Sequence, residues 1–110
     1  MAKLVVLEPA QQELEEIAQL HLNLVEPESA ARIVNEILDT LGRLEQFPQS
    51  GHVPRDRFLR QSGYRLVIAQ KYICVYRCIS DKVVVYHIAH GARDYSSLFK
   101  AMLHDNRSDK

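Results

Sequence analysis

Three short β-type runs follow one another late in the chain with almost nothing between them. Tyr64 to Ala69, Tyr72 to Ile79 and Lys82 to Ala89 are rich in Val, Ile, Tyr and Cys, and only Gln70-Lys71 and Ser80-Asp81 separate them. A two-residue connection reverses the chain, so the three runs must be antiparallel neighbours. The last two are apolar at odd and even positions alike, with Ile73 and Val75 against Cys74 and Tyr76, then Val83 and Val85 against Val84 and Ile88. Strands apolar on both faces belong at the centre of a sheet. The third run stops in His90-Gly91-Ala92-Arg93-Asp94-Tyr95, where polar chemistry gathers at a strand end.

The first half supplies the other layer. Lys3 to Leu7 is short, apolar and β-branched, which predicts a fourth strand. Glu8-Pro9 and Glu26-Pro27 each open a helix, because proline fits the first turn, where its missing N–H would be unpaired anyway. Leu14, Ile17, Ala18, His21 and Leu24 make one apolar stripe, with Glu13, Glu15, Glu16 and Gln19 on the other positions. Ala30, Ile33, Val34, Ile37, Leu38, Leu41 and Leu44 make a longer one, ending before Pro48. Two amphipathic helices with a short link imply an αα-hairpin. Residues 48–63 are expected to be irregular and basic, with Phe58-Leu59 pinning them to the core. Ser97 to Leu103 predicts a short terminal helix, and residues 105–110 a disordered tail.

The order β-α-α-β-β-β makes an α+β fold, a four-stranded, antiparallel-rich sheet with the helical hairpin on one face. The 110 residues are expected to form one domain over 1–104. The opposite sheet face, with the basic loop and the strand-four rim, is expected to be free for a partner.

Charge is balanced overall but not along the chain: residues 1–50 sum to −6 and residues 51–110 to +6. Such an asymmetry points to an anionic partner for the basic half, or to neutralisation of one half by the other. Cys74 and Cys78 share a strand face about 13 Å apart, too far for a disulfide. With no histidine pair at ligand spacing they make no zinc site, and they read as packing residues of a reduced, cytoplasmic protein. No metal or cofactor is expected. No apolar run is long enough to span a bilayer, and no membrane partner is expected.

Taken in order, Phe47-Pro48-Gln49-Ser50-Gly51, Gly63-Tyr64-Arg65, Tyr72-Ile73-Cys74-Val75-Tyr76-Arg77 and Val83 through Tyr95 resemble the RelE/ParE superfamily of toxins. The resemblance runs from the first strand to Phe99. It implies a bacterial type II toxin–antitoxin module in which a cognate antitoxin wraps the toxin. RelE-like members cut mRNA on the ribosome as metal-independent endoribonucleases, whereas ParE-like members inhibit DNA gyrase with no known hydrolytic chemistry. By this resemblance Arg93 sits where RelE-like enzymes keep an arginine for the scissile phosphate, and Arg65 replaces one catalytic lysine. Val67 replaces a second lysine and Phe99 a catalytic tyrosine, so a cation and a hydroxyl are missing; Ile73 stands where another strand arginine would be, although Arg77 lies further along the strand. Tyr72 through Arg77, followed by an Ile-x-His ending, looks like ParE-like members.

Two functions are therefore carried forward. The favoured one is a ParE-like gyrase inhibitor; the alternative is a RelE-like nuclease acting on ribosome-bound mRNA, and a degenerate toxin that only binds its antitoxin is a third. Cleavage by 2′-hydroxyl attack needs a base, an acid and cations on the phosphate. Arg93, Arg65 and Arg77 are the candidate cations, with His90 or His87 as the titrating group. His87 also reads as a core histidine, and Asp94 as a helix cap. Arg65, Arg77, His90, Arg93, Asp94 and Tyr95 are the candidate target-binding residues. Zero net charge suits a protein target better than a polyanionic one.

Overall fold

The computed structural model describes residues 1–91 and 94–108, with side chains as far as Leu103. The elements are β1 (Lys3–Val6), α1 (Glu8–Leu24), α2 (Pro27–Arg43), α3 (Arg57–Gln61), β2 (Tyr64–Ala69), β3 (Tyr72–Ile79), β4 (Lys82–His90) and α4 (Tyr95–Ser108). The sheet order is β1-β4-β3-β2, so the two doubly apolar strands are central, as their composition requires. β2, β3 and β4 form an antiparallel meander, and β1 pairs with β4 in parallel. Gln70 and Ser80 open the two tight turns at positive φ, 59° and 55°, the left-handed geometry that two-residue hairpins demand.

The helical hairpin forms as its stripes predict. Proline stands in the first turn of both helices, and Val25 and Glu26 alone link them. Ile17, Ile33, Ile37, Leu41 and Leu44 bury against Cys74, Tyr76, Val83, Val85 and Ile88 on one sheet face. Each such side chain contributes about 1.5–3 kcal/mol through burial.

Four features depart from the sequence expectations. First, the opposite sheet face is not free. Leu59 of α3 and Phe99 and Leu103 of α4 close over Tyr64, Leu66, Ile73, Val75 and Ala89 in a second core. Second, the loop expected over 48–63 contains α3, capped by Asp56, whose carboxylate accepts the Leu59 N–H at 3.1 Å. Third, α4 is longer than Ser97 to Leu103 and continues through 105–108, the start of the stretch read as a tail; residues 109–110 lie outside the described set. Fourth, β4 changes phase. A register shift at Val75/Tyr76 leaves Tyr86 as an extra residue on β4. Val83 and Val85 therefore share a core with Ile88 rather than opposing it, while Tyr86 turns to the second core.

Tyr76 ties the 47–52 segment to the sheet. It is fully buried, its hydroxyl donates to the Pro48 carbonyl at 2.8 Å, and it accepts the Gly51 N–H at 3.0 Å. A Cβ at Gly51 would lie 2.7 Å from the Tyr76 ring and 2.8 Å from the Leu66 carbonyl oxygen, so glycine is required there. Among the described residues no helix is long and apolar enough to cross a membrane.

Candidate functional site

Arg65, Arg77 and His90 do not meet at one place. Arg77 faces the second core, beside two rings that meet edge-to-face, with its guanidinium carbon 4.9 Å from the Tyr64 centroid and 5.2 Å from that of Tyr86. Its Nε and Nη2 donate to the Tyr86 hydroxyl at 3.1 and 2.7 Å. Arg65, on the neighbouring strand opposite Tyr76, turns to the other face, and its Nη1 donates to the Gln49 and Gly51 carbonyls, both at 3.1 Å. Both guanidinium groups thus brace the fold.

His90 lies at the other end of the sheet. It pairs with Tyr72, whereas Arg77 pairs with Val84. Five residues along β3 separate the two positions, about 16 Å. No single phosphate spans that gap. His90 makes an edge-to-face contact with Tyr72 at 5.4 Å, and the Tyr72 hydroxyl lies 3.2 Å from Nε2 of His21, whose Nδ1 is 2.9 Å from the Ser29 hydroxyl. Burial pushes the Tyr72 phenol above its usual range.

His87 is sealed, as the core reading of it expects. It is 4% exposed and lies nearly parallel to Phe99 with centroids 6.4 Å apart. Its Nδ1 donates to the Glu13 carboxylate at 3.2 Å, and Nε2 is buried without a partner. The same carboxylate accepts the Ile88 N–H at 2.8 Å. Glu13 thus turns inward, away from the polar stripe to which its spacing assigns it. It sits beside Glu15 and Glu16, and nothing in that run marks it as the one that reaches the sheet. The ladder position of Ile88 beyond the end of β1 is what singles it out.

Asp94 caps α4: its carboxylate accepts from the Ser97 hydroxyl at 2.9 Å and the Ser97 N–H at 3.4 Å. Tyr95 packs against Phe99 at 6.2 Å. Arg93 lies outside the described residues. Ile73 and Phe99, which stand at positions where RelE-like enzymes are expected to carry an arginine and a tyrosine, are buried in the second core. Lys100 forms an ion pair with Asp56 at 3.2 Å, and the Glu13–His87 contact joins the acidic half to the basic half. Within the described set no group of three His, Cys, Asp or Glu side chains is arranged to hold a metal ion.

Comparison with known proteins agrees with this architecture. The family model described as the ParE toxin of the type II toxin–antitoxin system, parDE, matches residues 4–95. No curated protein sequence matches the chain. Among solved structures, one described as the chromosomal ParDE toxin–antitoxin system from P. aeruginosa superposes with a TM-score of 0.70 at 19% identity, covering 82% of this chain and 96% of that one. A conserved hypothetical protein from Helicobacter pylori superposes with a TM-score of 0.53, also at 19% identity, covering 84% of this chain and 98% of that one. At these identities the two structures establish the fold alone.

Proposed function

The chain belongs to the ParE toxin family of type II toxin–antitoxin systems, and on that premise we propose that it acts in the cytoplasm by docking to DNA gyrase, with no hydrolytic chemistry of its own. As a member of that family it has a cognate antitoxin as partner.

The observation that supports a docking mechanism is the filled second sheet face. The positions of a RelE-like catalytic set at Ile73 and Phe99 are apolar and buried. Arg65 and Arg77 are committed to backbone carbonyls and a tyrosine hydroxyl. His87 is inaccessible, and His90 stands about 16 Å from Arg77 along the strand. A nuclease lacking one proton-transfer group commonly loses about 10²–10⁴-fold in rate, and here the cations are dispersed as well. Arg93 is retained as a target-contact residue on its sequence position alone: Arg93→Ala should stay folded and antitoxin-bound while losing much of its toxicity.

Expression of the chain without its antitoxin should arrest bacterial growth. The purified chain should inhibit gyrase supercoiling and leave mRNA intact in a translating extract. Codon-register cuts in ribosome-bound mRNA that vanish in His90→Ala or Arg93→Ala would replace this reading with the endoribonuclease.

A further inference from the structure

The charge asymmetry of the chain becomes a separation in space. The acidic hairpin lies on one face of the sheet, where Glu15, Glu16, Glu26, Glu28 and Asp39 are exposed. α3 lies on the opposite face, held there by Leu59 in the second core. The stretch around it is strongly basic. Between Glu45 and Asp81 the chain carries six bases, Arg55, Arg57, Arg60, Arg65, Lys71 and Arg77, and one acid, Asp56. That acid is already engaged: its carboxylate meets Lys100 of α4 at 3.2 Å and accepts the Leu59 N–H.

Arg57 and Arg60 stand three residues apart on α3, so they share a side of the helix, and both are exposed. Arg55, also exposed, is drawn to them: Arg60 Nη1 donates to its carbonyl at 2.8 Å. Arg60 and Arg65 line one hollow beside β2. Unlike Arg65 and Arg77, Arg55 and Arg57 brace nothing, and neither has an acidic partner among the described residues. Like charges held this close repel one another. The rings nearby offer no platform for bases, because Tyr64 is buried and Phe58 packs against it at 6.4 Å. Exposed guanidinium groups without a stacking surface suit a phosphate backbone better than unpaired bases.

We propose that the α3 surface, with Arg55, Arg57 and Arg60, rests on the phosphate backbone of the duplex DNA that gyrase holds. The inference rests on the gyrase reading and deepens it: the toxin engages the enzyme together with its DNA. Duplex DNA carries one negative charge per about 1.7 Å of axis, so three arginines on one short helix find phosphates without reading sequence. The exposed carboxylates of the hairpin lie across the sheet and turn the chain so that its acidic side points away from the duplex. With no net charge, the chain binds duplex weakly by itself and brings this face to bear once gyrase holds both.

The test uses the purified full chain, a short fluorescent duplex and a gyrase supercoiling assay. At low salt the wild type should bind the duplex, and log affinity should fall against log salt with a slope of about −3, close to one for each phosphate neutralised. The double variant Arg55→Glu/Arg57→Glu changes only the surface. It should keep the melting temperature, bind the duplex about tenfold more weakly or worse with a slope near −1, and require about tenfold more protein to inhibit supercoiling. Should it not fold, Arg57→Gln alone should bring the slope to about −2. A wild type that fails to bind duplex at low salt, or a folded double variant that binds it equally well, overturns the surface and leaves the gyrase reading intact. Tighter binding to single-stranded RNA than to duplex DNA of equal length overturns DNA as the partner. A double variant that loses the duplex yet inhibits gyrase at the wild-type dose overturns the part of this surface in the toxin's action. Duplex binding by a wild type that leaves supercoiling untouched overturns the gyrase reading and keeps the DNA-binding face.

Discussion

Arg77→Ala distinguishes a brace from a target contact. The guanidinium makes two cation–π contacts, with Tyr64 and Tyr86, each contributing about 0.5–1 kcal/mol at a part-exposed site. Its paired donation to the Tyr86 hydroxyl is a charge-assisted bond, at about 1.5–3 kcal/mol before solvent competition is allowed for. With Arg77 only half buried, a loss of about 2–3 kcal/mol is expected, several times the effect of an ordinary surface substitution. For a chain of 110 residues, each kcal/mol lowers the melting temperature by about 4 °C, so the variant should melt about 10 °C lower. Arg77→Lys should recover little, because an ammonium cannot stack as a plane or fork onto the hydroxyl. A double-mutant cycle with Tyr86→Phe, read by urea denaturation, should give a coupling of about 1 kcal/mol or more. A variant that melts like the parent chain but no longer inhibits gyrase would refute the brace and make Arg77 a target contact.

Three further outcomes follow from the geometry. Tyr76→Phe removes two hydrogen bonds and should cost about 1–3 kcal/mol by chemical denaturation, and Gly51→Ala should cost more because the new Cβ meets the same ring and a backbone oxygen. The Leu59 N–H, and after it Lys100, hold the Asp56 carboxyl below its usual 3.8, against an opposing push from burial. Its folded pKa is depressed, so its contribution is present above pH 3.8 and lost as the pH falls below that value; the stability gap between parent and Asp56→Asn seen at neutral pH should close in acid. Burial, with Glu13 nearby, pushes the Cys74 thiol up to about 12, whereas Cys78 is exposed; a thiol reagent at pH 8 should label Cys78 alone until the chain unfolds.

The layers of the fold were legible because hydrophobic period and turn length speak directly to them. Proline positions and stripe spacing gave the αα-hairpin, and two-residue turns gave the meander. The second core was hidden. Phe58-Leu59 and Phe99 with Leu103 are only pairs of apolar residues, and nothing local says which sheet face they cover. The bulge at Tyr86 was invisible for a related reason: β4 is apolar at nearly every position, so a change of phase leaves no mark on its pattern. Arg65 and Arg77 read as candidate cations in the sequence, and their partners, Gln49, Gly51 and a tyrosine brought close by the bulge, come from segments no local pattern links to them. Glu13 carried no signal at all until the end of β1 was known.

The parallel pairing of β1 with β4 joins Lys3 to Lys82, from the first described strand to the last. The first strand made therefore waits for the last. During synthesis at about 5–20 residues per second, β1 stays without its neighbour for several seconds while the hairpin and the meander emerge. Closing so long a loop before any ladder bond forms is a slow, non-local step. A ribosome-bound fragment ending before β4 has no sheet centre to complete, so the folded shape comes into being only once residues 82–90 have emerged.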